Sequence, residues 1–283
     1  MMAAVPHQQP ADWQKPRLEL SGEKLRLAVD ALVRGCEDIG GVERLVAAVQ
    51  LKSEAFKERL GSGAVHHLDI GTFEELVPLM ATVRSRIGRL IEAKGWTAVQ
   101  EALVKLLADG QAPESCDERL MNFCKSFPSG KETRFVRDLA SEILHNTFPE
   151  HYPLMSRWVW DSRVNTGVIR EIWHAENIDN ILIDVPDNQA TFLCLREELS
   201  QYLSDNGIFR DMVWYVDVLC AQIYGGYINA QGGAYLRSDF SSAPNPLEQT
   251  YRILGLDRVS RPLKTGKVIE SEAYPSAAQK FIH

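Results

Sequence analysis

The chain has 283 residues, 45% of them hydrophobic and 24% charged. These are ordinary globular values, at a length that buries a substantial core without disulfide or metal staples. Thirty-one lysines and arginines against 38 aspartates and glutamates leave a net charge of −7, the wrong sign for gripping a phosphate backbone, so nucleic-acid binding is disfavoured. Nowhere do 18 apolar residues run together, which excludes a membrane-spanning helix.

Residues 1–20 carry Pro6, Pro10 and Pro16 among polar residues and no apolar core of signal-peptide length, which predicts a disordered leader. From Ser21 the pattern turns helical: Leu25, Ala28, Val29, Leu32 and Val33 share a face, and Gly35 marks a stop. A second helix is expected from Gly41 to Leu60 on the stripe Val42, Leu45, Val46 and Val49, broken by Gly61-Ser62-Gly63. Thr72-Phe73-Glu74-Glu75 reads as a capping box opening a helix that runs through Leu79, Val83, Ile87 and Leu90 to Gly95, with Pro78 near its start. Another helix, beginning near Thr97 and ending at Asp109-Gly110, is followed by helices around 116–127 and 131–146.

Pro149 and Pro153 then break the pattern, and Asn180-Ile-Leu-Ile-Asp-Val185 reads as a short strand. Helices return over about 190–203 and 208–229. The second, with Phe209, Met212, Val213, Val216, Leu219, Cys220, Ile223 and Tyr227 at helical spacing, is the expected central helix, stopped by Gln231-Gly232-Gly233. A short helix after Pro246 ends at Gly255. The fold class expected is mainly α, a helical bundle with a small amount of β in the C-terminal half. Its division is a leader (1–20), a bundle (21–148), a C-terminal helical part (149–256) and an extended tail (257–283).

Two stretches carry the chemistry. Trp158, Trp160 and Trp173 lie within 16 residues, enough indole to wall a site for a planar ligand or, alternatively, to fill the seam between the two helical parts. Arg157, Asp161, Arg163, Arg170, Glu171 and His174 surround them; they would supply anion-binding and proton-transfer groups, or else a buried ion-pair network. The second stretch follows the long helix: Gln231, the glycine pair, Tyr235, Arg237, Ser238 and Asp239. It lacks the phosphate-loop pattern, and its bland reading is a helix stop pinned by an Arg–Asp pair. His66-His67 with Asp69 has no ligand spacing, so no metal is expected. The cysteines Cys36, Cys116, Cys124, Cys194 and Cys220 are too scattered for a disulfide framework and read as reduced thiols of a cytoplasmic protein.

The stretches Tyr152–Asp161, Ile169–His174 and Tyr227–Phe240 resemble a group of uncharacterised proteobacterial proteins. The resemblance implies a setting beside sulfur-oxidising heterodisulfide-reductase-like systems, or nitrogen fixation, and supplies no catalytic residue. Leu144-His145 followed by Phe148-Pro149 and an aspartate is similar to the helix-hairpin-helix DNA glycosylases, but their glycine-rich hairpin and catalytic lysine are not identifiable here.

The function expected is that of an accessory or interaction protein for an intracellular redox enzyme system, with a protein partner, no membrane, no assigned cofactor and no catalysis of its own assumed. The alternative is a small-molecule enzyme or ligand-binding protein with a cleft between the helical parts lined by Trp158, Trp160, His174, Arg237 and Asp239. A DNA-glycosylase-like module is a further alternative and requires a basic stripe.

Overall fold

The computed structural model describes residues 16–110, 116–235 and 247–258. Among them are eleven α-helices, and no helix is long and apolar enough to cross a membrane.

The first helices follow the apolar spacing closely. Helix α1, Gly22–Cys36, is capped by Ser21, whose side chain accepts from the Lys24 amide. It buries Leu25, Leu32 and Cys36, whereas Val33 is half exposed. Helix α2, Val42–Leu60, ends at Gly61. The third departs from expectation. Asp69, three residues before Thr72, is the N-cap and accepts from the Thr72 amide at 2.8 Å, so the hydroxyl of Thr72 is a donor to the cap. Helix α3, Ile70–Leu76, is then cut by a 3-10 turn at Val77–Leu79. The single long helix read from the sequence is two, and α4 spans Ile87–Lys94. Pro78 accounts for the break, because it has no amide to donate and cannot carry the α-helical hydrogen-bond pattern onward.

Helices α5 (Trp96–Leu107), α6 (Cys116–Lys125) and α7 (Phe135–Thr147) complete the N-terminal half. Nearly every residue of α7 is buried, including Asp138, Glu142, His145 and Asn146. Its polar side chains anchor the surrounding segments. Glu142 pairs with Lys52 of α2 at 2.8 Å, and Lys52 also donates to the Leu254 carbonyl at 3.0 Å. Asp138 accepts the Arg157 amide and guanidinium.

His145 lies 2.8 Å by Nδ1 from the Tyr152 carbonyl and 2.7 Å by Nε2 from Asp217. Because a carbonyl only accepts, the contact with Tyr152 calls for the N–H donor at Nδ1.

The C-terminal half contains α8 (Val168–Glu171), α9 (Gln189–Asp205), α10 (Met212–Tyr235) and α11 (Glu248–Ile253). As expected of a central helix, α10 packs against α1, α2, α8, α9 and α11. It starts later than expected, leaving Phe209 exposed, and it runs through Gly232 and Gly233 instead of stopping there. Once a helix is nucleated, each added residue gains a hydrogen bond, and two glycines cost only about 2 kcal/mol together.

The small β content is not found. Residues 181–185 are extended but unpaired with any strand among the described residues, and the pairings there are isolated bridges, Leu20 with Trp173 and Asp161 with Thr166. The Asn165 side chain takes the place of a neighbouring strand, donating to the Ile181 carbonyl and accepting from the Ile183 amide. The hydrophobic cluster extends from Leu18 to Leu256 and draws on both halves of the chain.

Candidate ligand-binding cleft

Three groups of residues, drawn from four chain segments, line a cleft of about 440 Å³, within the usual range for small-molecule sites. The first is the irregular stretch 81–85, which Pro78 releases from the helix. The second is Trp158 with Tyr224 and Ile228 of α10, and the third is α11 with Arg258 beyond it.

Small local features set these segments in place. Gly225 lets α11 approach α10, since a Cβ there would lie 3.3 Å from the Gln249 side chain and from the Thr250 amide. Thr250 donates to Gln222 across the same seam at 2.8 Å. Helix α11 closes in a Schellman turn: Gly255, with φ of +73°, donates to the Arg252 carbonyl, and the Leu256 amide donates to Tyr251. A Cβ on Gly255 would sit 2.0 Å from the Leu79 carbonyl oxygen, so this glycine also permits the 77–79 turn to rest on the end of α11. Arg84 is then clamped to Asp257 by two hydrogen bonds of 2.6 and 2.7 Å.

Aromatic and basic side chains both line the cleft. The rings of Trp158 and Tyr224 are 5.9 Å apart, and Tyr224 stacks on Tyr227 at 5.7 Å. Burial, followed by the neighbouring Tyr227 and Glu171, raises the Tyr224 pKa, so its hydroxyl stays protonated at neutral pH. Arg252 and Arg258 line the same cleft; both are exposed and no acidic partner holds either among the described residues. Two wall residues, Thr82 and Trp158, each carry a buried polar atom, Oγ1 and Nε1, with no hydrogen-bond partner.

The candidate residues read from the sequence do not all meet here. Of those described, Trp158 lines the cleft. Trp160 is fully buried and donates from Nε1 to the Val185 carbonyl at 2.9 Å. Trp173 bridges to Leu20, so the three indoles do not make one wall. Asp161 closes the 161–166 turn and accepts from the Arg163 amide, and the Arg163 side chain is largely exposed. His174 is exposed, and its amide donates to Glu19 beside the start of α1. Gln231 is exposed on α10. Tyr235 ends that helix, and Arg237 and Asp239 lie outside the described residues.

Thr82, Arg84, Tyr224, Gln249, Arg252 and Arg258 escaped the sequence reading. Pro78 was the one signal for the first two, because the break it forces turns 81–85 into a wall.

No protein-family model, curated protein or solved structure matches this chain. The fold and the cleft define its class, a mainly helical protein with a basic and aromatic cleft.

Proposed function

We propose that this protein binds a small organic anion in the cleft between residues 81–85, α10 and α11. The observation that carries the reading is the pair of exposed arginines, Arg252 and Arg258, that line the cleft with no acidic partner among the described residues, beside the half-buried ring of Tyr224. The described lining residues include no carboxylate or imidazole, so the groups present suit binding and orienting more than proton transfer.

A thermal-shift screen of organic carboxylates, sulfonates and phosphates tests this. A ligand at 100 times its Kd adds about 2.7 kcal/mol of stability, which at this chain length is a rise in Tm of roughly 5–10 °C. The rise should shrink in Arg252→Gln, an exposed substitution. No shift with any anion, or a shift indifferent to Arg252, would sink the reading.

A second reading, the accessory protein, draws on a different surface. Leu182 and Val164 are 75% and 53% exposed, and Leu182 lies in the extended 181–185 stretch. Leu182→Ser should abolish co-purification of a stoichiometric partner from the native cell, and unchanged recovery would remove this surface as the contact.

A further inference from the structure

We infer that the anion is a phosphate monoester carried on a flat ring system. The inference rests on the binding reading above and specifies its ligand. Charge argues for the phosphate. Arg84 is neutralised by Asp257, so the two guanidiniums left to meet a ligand are Arg252 and Arg258. A phosphate monoester carries about −1.5 to −2 charges at neutral pH and offers oxygens to two guanidinium forks at once. A monocarboxylate would match one arginine and leave the other unused.

The aromatic side chains argue for the ring. Trp158, Tyr224 and Tyr227 form a graded stack in which the first pair is tilted by 36° and the second by 29°. Tyr224 is only half buried where it lines the cleft. Ile228 and Ile253 flank it with apolar surface. A planar heterocycle held against the half-buried Tyr224 joins this aromatic cluster in an offset or edge-to-face contact.

The Gln249 amide, which both donates and accepts, lines the same cleft and suits a heterocycle edge. Nucleoside monophosphates and flavin mononucleotide have this plan of flat ring, polar edge and terminal phosphate.

The test is isothermal titration of the full chain with adenosine monophosphate and flavin mononucleotide, alongside adenosine, riboflavin, inorganic phosphate and an anilinonaphthalene sulfonate dye. At least one phosphorylated ring should bind about tenfold or more tightly than both its dephosphorylated form and inorganic phosphate, as expected for charge-assisted bonds added to stacking. Arg252→Gln with Arg258→Gln should reduce binding to the level of the dephosphorylated ring. Tyr224→Leu should reduce it toward that of inorganic phosphate, and Tyr224→Phe, which keeps the ring, should retain it. Equal binding of phosphorylated and dephosphorylated forms, or no effect of the arginine pair, overturns the phosphate assignment. If the dye alone binds and competes at the cleft, the ligand class falls while the anion-binding reading stands; if no probe binds, both fall.

Discussion

Lys52→Met should cost this protein about 3–5 kcal/mol, the usual price of leaving one member of a buried ion pair uncompensated. Lys52 is 4% exposed and Glu142 1%, so the carboxylate stranded by the substitution has no route to water. Its remaining side-chain contact is the Asn146 amide at 3.1 Å, a neutral donor and a weaker partner than an ammonium. The Leu254 carbonyl loses its Lys52 donor too, which loosens the turn that seats α11 and, with it, the arginines that line the cleft. A whole domain is stable by only about 5–15 kcal/mol, so the loss is large. Replacing both partners, Lys52→Met with Glu142→Leu, removes the stranded charge and should recover most of the stability. Urea unfolding at neutral pH measures both, as a fall in midpoint at unchanged slope. A single-variant cost below about 1 kcal/mol, or a double variant no more stable than Lys52→Met, would refute the account of α7 as a polar anchor.

Gly255→Ala should destabilise far more than Gly63→Ala. Both glycines have positive φ, +73° and +83°, yet a Cβ at Gly63 meets nothing within 4 Å while one at Gly255 runs into the Leu79 carbonyl; equal melting temperatures would contradict the close approach. Alkaline pH should weaken the fold. Burial pushes the Cys36 thiol up to about 11 and Cys116 to about 12. Burial, then Glu43 beside it, raises the Tyr215 hydroxyl to about 12. These protons leave the unfolded chain first, so the stability they give is complete below about pH 8.5–10. It is lost as pH rises toward 11–12. Urea midpoints that stay flat to pH 11 would contradict this. The same shifts predict that Cys36 and Cys116 resist thiol reagents at pH 8 in the folded protein, and rapid labelling of either would show that it is not buried.

The sequence reading succeeded where one local signal decides the outcome. The stripes of α1, α2 and α5 located those helices within a few residues, and Gly255 was placed correctly as the end of α11. It failed where local signals competed. Pro78 was assigned to a helix start, where it costs little, although the true cap, Asp69, lies nine residues earlier and puts the proline at the helix end. Ile181 to Val185 has a strand's composition, but its backbone is met by the side chains of Asn165, Arg170 and Trp160 in place of a strand, which no periodicity reveals.

The polar residues of α7 look like a solvent-facing stripe. Their burial follows from partners such as Lys52, Arg157 and Asp217, which lie 90, 19 and 72 residues away in sequence. The cleft was illegible for a similar reason. Trp158 stood out by its indole neighbours, but Arg84, Tyr224 and Arg252 become a site only when segments far apart in the chain are brought together.

The most direct test of the central claim is native mass spectrometry of the protein purified gently from its own cells, followed by denaturing release of whatever is bound. The account predicts a stoichiometric small anion that absorbs in the ultraviolet, contains phosphorus and is lost from the Arg252→Gln, Arg258→Gln double variant. A bare chain from the native cell, or the same adduct retained by that variant, would contradict it.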